Sequence, residues 1–216
     1  MTAPAIRADP ARTALVIVDM QNDFCHPSGY YAGAGRDISA LHATIGPVRR
    51  LRDRAHDAAV PVVFTRLLHD TARGPMERRH DLVPRRWTAS GRRLEPGSWG
   101  ADIVADLTPR PDELVVDKAG YSAFDGTGLE RWLRERQIKT LLLAGVVGYA
   151  CVLATGFAAF DRDFDVLLVS DAVGSWEPEL GRSALSIADL LLGCAAPADE
   201  IVFESHRGTG APVPPG

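Results

Sequence analysis

Short apolar runs recur along the chain, and each is followed by a longer segment with a different hydrophobic period. The runs are rich in β-branched residues or leucine and occupy residues 14–20, 61–66, 113–118, 140–147 and 165–173, with a shorter one at 200–204. Within each run the apolar positions are continuous rather than alternating. This pattern is typical of strands whose two faces are both covered.

Between these runs, apolar residues recur every three or four positions, as they do on one face of a helix. The helical segments are 37–59, 127–137, 151–163 and 179–193. In the first of them Pro47 predicts a kink. In the second, Thr127 and Glu130 have the spacing of a capping box.

Alternating strands and helices predict an α/β fold with a mostly parallel, doubly wound sheet of about six strands. We expect a single domain over 1–216, with a core at about 13–204. The ending, RGTGAPVPPG, is rich in proline and glycine, so about 205–216 is predicted to be a loose tail.

Composition narrows the class of protein. The chain has 216 residues, of which 46% are hydrophobic and 24% are charged, as in ordinary soluble globular proteins. Its net charge of -4 gives no reason to expect nucleic acid or an anionic membrane as a partner. The sequence has neither a signal-peptide pattern nor an apolar stretch of membrane-spanning length. The three cysteines are far apart and odd in number, which argues against a disulfide framework and favours a cytoplasmic location.

The segment from 67 to 97 is unusually long for a connection and contains seven arginines. It is either a solvated face or subunit contact, or an anion-attracting rim or lid. Trp87 within it is either a pocket wall or an interface anchor.

Three reactive residues follow three different predicted strands. Asp19 ends the first, Lys118 ends the third, and Cys151 follows the turn after the fourth. Each alone has an ordinary explanation: a helix cap, a solvated charge, and a small core residue. However, ligands of open α/β sheets bind beyond the carboxyl ends of the strands, so all three are expected at one edge.

Together these residues would suit nucleophilic catalysis. A free thiol has a pKa of about 8.5, so an adjacent ammonium and the start of the next helix are expected to favour the Cys151 thiolate. Asp19 is placed to accept the thiol proton and later deliver it to a leaving nitrogen. Backbone N–H groups of the turn before Cys151 are candidate oxyanion donors. Cys25 and Cys194 fit the role less well, and a Cys–His pairing stays open as an alternative.

Three stretches in order, 14–24 (ALVIVDMQNDF), 117–147 (DKAGYSAFDGTGLERWLRERQIKTLLLAGVV) and 151–173 (CVLATGFAAFDRDFDVLLVSDAV), resemble the isochorismatase-like cysteine hydrolase superfamily. Residues 95–118 are similar to its biuret and ureidoacrylate amidohydrolase branch. The resemblance implies a three-layer α/β/α fold, a homo-oligomer, and a catalytic triad.

In this sequence the implied triad is Asp19, Lys118 and Cys151. The resemblance also implies a cis peptide bond between Val146 and Val147, with the backbone N–H groups of Val147 and Cys151 as oxyanion donors.

Departures from the family pattern concern the substrate pocket and the metal. Gly148 and Tyr149 replace a threonine and an asparagine or aspartate, so Gly148 is expected to open room that Tyr149 narrows. Phe24, Tyr149, Gly148 and Trp87 are the predicted substrate-binding residues.

Zinc-binding members of the family use an Asp-x-His pair and a later histidine. Here Leu67 replaces the aspartate, which leaves only His69 and His80, and two histidines make a poor zinc site. We therefore predict no metal and no other cofactor.

The predicted function is cysteine-dependent hydrolysis of a C–N bond in a small non-peptide amide or ureide, through a thioester. Two alternatives remain: a hydrolase of a larger natural product, similar to streptothricin hydrolases, and a catalytically silent binding protein. Because Cys151 is present, the sequence argues against vinyl-ether cleavage of isochorismate.

Overall fold

The computed structural model describes residues 5–69 and 93–204. Its central sheet has six strands, all paired in parallel, in the order β4-β3-β2-β5-β6-β7. The strands are β2 (Thr13–Val18), β3 (Val62–Leu67), β4 (Leu114–Lys118), β5 (Thr140–Val146), β6 (Asp165–Gly174) and β7 (Gly193–Ala196). The α/β fold with a doubly wound parallel sheet is therefore as predicted.

One predicted strand lies elsewhere. The run at 200–204 forms β8 (Ile201–Phe203), which pairs with β1 (Ile6–Ala8) in a separate two-stranded sheet. The sixth strand of the main sheet is instead β7, which contains Cys194 and begins at the last residue of the helix predicted over 179–193. Gly193 explains the early end of that helix, because its φ of 144° is incompatible with helical backbone.

Helices flank the sheet. They are α1 (Asn22–Cys25), α2 (Tyr30–Gly33), α3 (Ser39–Ala43), α4 (Ile45–Asp57), α5 (Leu129–Glu135), α6 (Leu153–Phe160) and α7 (Pro178–Leu191). The four predicted helical segments are present, and the boundaries of each are corrected.

The segment 37–59 forms two helices that meet at Thr44, not one helix kinked at Pro47. Pro47 lies in the first turn of α4, where a missing N–H group costs no helical hydrogen bond. The capping box is also wrong, because the N-cap of α5 is Gly128. Thr127 accepts a hydrogen bond from the N–H of Leu129 without closing such a box.

The predicted helix over 151–163 begins later, because Gly148–Val152 form one turn of π-helix before α6. Cys151 therefore lies in this turn rather than at the start of a regular α-helix. We call Gly148–Val152 the nucleophile turn, after the role that the sequence predicts for Cys151.

Strand order fixes where a ligand can bind. The chain runs outward from β2 through β3 to β4, then returns to the other side of β2 as β5. The gap between β2 and β5 is thus the topological switch point, where open α/β sheets form a crevice beyond their strand ends.

Glycine is required where these two central strands lie closest. Gly145 in β5 has a φ of 107°, and a Cβ atom there would lie 2.1 Å from the Val18 carbonyl oxygen. Only glycine fits this approach, so the backbone itself sets the spacing beneath the crevice.

Within the described ranges, no helix is both long and apolar enough to cross a bilayer.

Candidate active site

The three residues predicted from strand ends meet at the switch point. Asp19 directly follows β2, Lys118 is the last residue of β4, and Cys151 lies in the nucleophile turn after β5. All three are buried, and the Lys118 ammonium lies 2.7 Å from Oδ2 of Asp19. The Cys151 thiol is within hydrogen-bonding and electrostatic reach of both.

Asp19 is held by backbone conformation and by a neighbouring strand. Its φ of 50° lies in the left-handed region, which turns the chain sharply as it leaves β2. The hydroxyl of Thr65, in β3, donates to Oδ1 of Asp19 at 2.6 Å. One carboxylate oxygen therefore faces Thr65 while the other faces Lys118, which fixes the carboxylate plane.

The Lys118 ammonium is kept charged by its partners. Burial opposes the charge, but Asp19, with a further contribution from the Cys151 side chain, outweighs burial and raises the pKa of Lys118 above its usual value. Its Nζ also donates to the Gly120 carbonyl oxygen at 3.0 Å. Lys118 is therefore a buried, fixed positive charge beside Asp19.

Cys151 differs from the sequence expectation of a preformed thiolate. Burial, and then the negative charge of Asp19, raise the pKa of its thiol to about 12, although Lys118 opposes this effect. The reason is that an anion loses its hydration in a buried site, and the adjacent Lys118 cation does not offset both this loss and the repulsion from the Asp19 carboxylate. At neutral pH the resting thiol is protonated.

The nucleophile turn has an irregular backbone. The Val146–Val147 peptide bond is cis, at the position that the family resemblance indicates. The Val147 carbonyl accepts hydrogen bonds from the N–H groups of Ala150 and Val152, at 3.0 and 3.2 Å. These bonds close the turn around Cys151.

The residues between Asp19 and Phe24 support the site in ways that sequence reasoning missed. The side chain of Gln21 accepts from the N–H of Leu67 at 2.8 Å and donates to the carbonyl oxygens of Leu67 and Ala101. The Asp23 carboxylate accepts from the N–H groups of Tyr30 and Leu94. These polar side chains are buried. The signal available in the sequence was the run of polar residues that directly follows the first apolar stretch.

Aromatic side chains cluster near the first strand end. Phe24 is buried and stacks on Tyr31 with ring centroids 5.2 Å apart. Trp176, which follows β6, packs against both rings, at 6.0 Å from Phe24 and 4.9 Å from Tyr31. Sequence reasoning identified only Phe24, because the other two become neighbours only through the fold.

Gly148 and Tyr149 occupy the nucleophile turn, but Gly148 opens no room. A Cβ atom at Gly148 would lie 2.6 Å from Oγ of Ser175 and 2.8 Å from Val173. The space that a side chain would use is thus already filled, which corrects the expectation from the sequence. Tyr149 is half-buried, and its hydroxyl donates to the Glu177 carboxylate.

Some predicted residues cannot be placed. Trp87 and His80 lie outside the described residues, as does the tail at 205–216 and most of the arginine-rich segment. Among residues 5–69 and 93–204, no three His, Cys, Asp or Glu side chains form a group that could hold a metal ion. His69 is buried just beyond β3.

The fold is a doubly wound α/β sheet, and a buried Asp–Lys–Cys group lies at its switch point. The isochorismatase domain matches residues 13–199, so the chain belongs to the isochorismatase family. It is 32% identical to ureidoacrylate amidohydrolase RutB of Methylobacterium radiotolerans, over 98% of this chain and 85% of that protein.

Two solved structures extend the comparison. A cysteine hydrolase from Pseudomonas syringae pv. phaseolicola superimposes with a TM-score of 0.76 and 26% identity, covering 93% of this chain and 96% of that one. N-carbamoylsarcosine amidase from Thermoplasma acidophilum superimposes with a TM-score of 0.69 and 26% identity, covering 87% of this chain and 97% of that one. The chain is thus an isochorismatase-like hydrolase with amidohydrolases among its relatives.

Proposed function

We propose that the protein is a cysteine-dependent amidohydrolase that cleaves a C–N bond of a small non-peptide amide or ureide through a thioester. The observation that carries this proposal is the buried ion pair of Asp19 and Lys118, 2.7 Å long, with the Cys151 thiol in reach of both. A base, a fixed cation and a nucleophile at one switch point are the parts that this reaction needs.

The first step forms the thioester. Because the thiol is protonated at rest, Asp19 takes the proton from Cys151 as the sulfur attacks the substrate carbonyl carbon. Lys118 stabilises the negative charge that develops on the sulfur, and the N–H groups of Val147 and Cys151 hold the oxyanion. Asp19 then gives its proton to the departing nitrogen, the C–N bond breaks, and ammonia or an amine leaves.

The second step hydrolyses the thioester. Asp19, again a carboxylate, takes a proton from water as the water oxygen attacks the thioester carbonyl. When the tetrahedral intermediate collapses, the C–S bond breaks and the sulfur recovers a proton through Asp19. Each group therefore returns to its starting state after releasing a carboxylic or carbamic acid.

The relatives support a carbamoyl or ureide substrate. One is named for an amidohydrolase of ureidoacrylate and another for an amidase of N-carbamoylsarcosine. Both names describe an N-carbamoyl group, in which the carbonyl carbon is bonded to two nitrogen atoms. We propose this class of C–N bond for the present protein.

The test is nitrogen release from a panel of ureides, N-carbamoyl amines, nicotinamide and lactams. Cys151→Ala should abolish turnover and leave thermal unfolding unchanged, while the matched control Cys194→Ala keeps activity, since Cys194 lies in edge strand β7. Intact-mass measurement during turnover should detect an acylated protein in wild type only. Turnover by Cys151→Ala at the wild-type rate contradicts the proposal.

The family resemblance also led us to expect a homo-oligomer, which we retain as a prediction. Light scattering of the purified full chain tests it, and a monomeric mass contradicts it.

A further inference from the structure

Tyr149 belongs to a chain of contacts that sequence reasoning did not find. Its hydroxyl donates to Glu177, and Glu177 forms an ion pair with Arg36 at 2.7 Å. The Arg36 guanidinium lies over the Trp176 ring, 4.0 Å from its centroid. We call Tyr149, Glu177, Arg36 and Trp176 the tyrosine clasp.

The clasp joins three segments that are distant in sequence. Tyr149 is in the nucleophile turn, two residues before Cys151. Trp176 and Glu177 connect β6 to α7, and Arg36 lies between α2 and α3. Through Trp176 the clasp also contacts Phe24 and Tyr31, which follow the first strand end. Tyr149 is thus linked by side-chain contacts to the segments that follow β6 and β2.

The clasp is charge-balanced at neutral pH. Burial and the adjacent Glu177 raise the pKa of Tyr149 above its usual value, so the ring stays a neutral hydrogen-bond donor. Burial opposes the charge on Glu177, but Tyr149 and Arg36 outweigh it and lower the pKa of its carboxyl. The neutral phenol, the carboxylate and the guanidinium therefore keep the geometry that holds the tyrosine ring.

Neighbouring groups leave Tyr149 little freedom. Ser175 and Val173 fill the space that a side chain at Gly148 would occupy, so the turn packs closely against the end of β6 on that side. The close packing at Gly148 and the tethered hydroxyl together hold Tyr149 in the turn that bears Cys151.

We infer that Tyr149 is the specificity-determining wall of this site, and that Glu177 and Arg36 are positioning residues that hold it in place. The wall restricts access to Cys151 to compact carbamoyl and acyl groups and excludes bulky ones such as those of large natural-product lactams. This inference rests on the proposed function for its substrate class, but its geometry can be tested without turnover.

The test compares alkylation of Cys151 by iodoacetamide and by N-benzyl-iodoacetamide, each rate normalised to that of glutathione and assigned by peptide mass. In wild type the smaller reagent should react at least about tenfold faster, as apolar pockets discriminate by size on that order. Tyr149→Ala should bring this ratio close to unity, and Glu177→Gln, which keeps the ring but weakens its tether, should lower the ratio only partway. Glu179→Gln, an exposed residue in the first turn of α7, is the matched control and should keep the wild-type ratio.

Tyr149→Phe separates the ring from its tether, because it keeps the bulk and loses the hydroxyl. An intermediate ratio, with a raised KM for compact ureides and little change in kcat, supports a positioning role for Glu177. If the larger reagent labels Cys151 equally in wild type and Tyr149→Ala, including no labelling in either, the inference is overturned. Failure of the proposed function alone would give a different result. Cys151→Ala would then hydrolyse the substrate at the wild-type rate, while the ratio of the two alkylation rates would still depend on Tyr149.

Discussion

The ammonium of Lys118 and the carboxylate of Asp19 form an ion pair 2.7 Å long, and neither side chain is exposed to solvent. Such a pair is costly to desolvate, and its presence is weak support for stability alone. In the proposed mechanism this ion pair places a proton acceptor and a fixed cation beside the Cys151 thiol.

Replacing Lys118 should therefore harm both folding and catalysis. In Lys118→Met the Asp19 carboxylate stays buried without a counter-charge, which should cost about 3–5 kcal/mol of unfolding free energy. We expect kcat/KM to fall by about 10²–10⁴-fold, because the developing thiolate loses its cation. Urea unfolding and steady-state kinetics measure the two effects. The exposed Lys139, altered to Met, is the control. Near-wild-type activity in Lys118→Met contradicts the assigned role.

Asp19→Asn should separate thiol ionisation from catalysis. The charge of Asp19 is one cause of the high pKa of Cys151, so its removal should lower that pKa from about 12. More thiolate is then present at a given pH, yet turnover should be lost, since no base or acid remains to move the proton. The pH dependence of Cys151 alkylation and of turnover checks both halves. An unchanged or higher thiol pKa argues against the electrostatic account.

Thr65→Val tests the orientation of the Asp19 carboxylate. The substitution keeps the shape of the side chain and removes the 2.6 Å hydrogen bond to Oδ1. A hydrogen bond to a charged group is worth about 1.5–3 kcal/mol, so we expect a loss of stability of that order and roughly tenfold lower kcat/KM. Thr13→Val is the control. The Thr13 hydroxyl is buried with no hydrogen-bond partner among the residues that the structure describes. If both variants lose activity equally, the bond to Asp19 is not the cause.

A second buried carboxylate, Glu113, should set the acid stability of the fold. It accepts hydrogen bonds from Arg52 at 2.7 and 2.5 Å and pairs with His56 at 2.9 Å. Burial opposes its charge, but Arg52, the backbone N–H of Arg110 and His56 outweigh burial and lower the pKa of Glu113. A carboxyl whose folded pKa is lowered contributes stability above its unfolded pKa of about 4.3, and this is lost as the pH falls through the folded value.

Glu113→Gln should accordingly lower the unfolding free energy at neutral pH by about 3–5 kcal/mol, because Arg52 is left buried and unpaired. The difference from wild type should shrink as the pH falls below about 4. Urea unfolding across this pH range measures it. Glu135→Gln removes only an exposed pair with Arg131 and should change stability by less than about 0.5 kcal/mol. A difference independent of pH means that charge is not what Glu113 contributes.

The sequence by itself determined most of the sheet and the position of the catalytic candidates. Five continuous apolar runs became strands of the central sheet, since burial on both faces leaves a local and readable pattern. Asp19, Lys118 and Cys151 could be grouped because the ends of parallel strands share one edge, whatever the details of packing.

Tertiary structure decided what depends on neighbours distant in sequence. Strand β7, rather than the run at 200–204, completes the sheet, because pairing with β6 depends on where the chain returns after α7. The protonated state of Cys151 reflects its burial beside Asp19, and the filled space at Gly148 reflects Ser175 and Val173. Desolvation and steric exclusion arise only when the chain is packed, so hydrophobic period and spacing could predict which residues meet but not the charge or the space that they share.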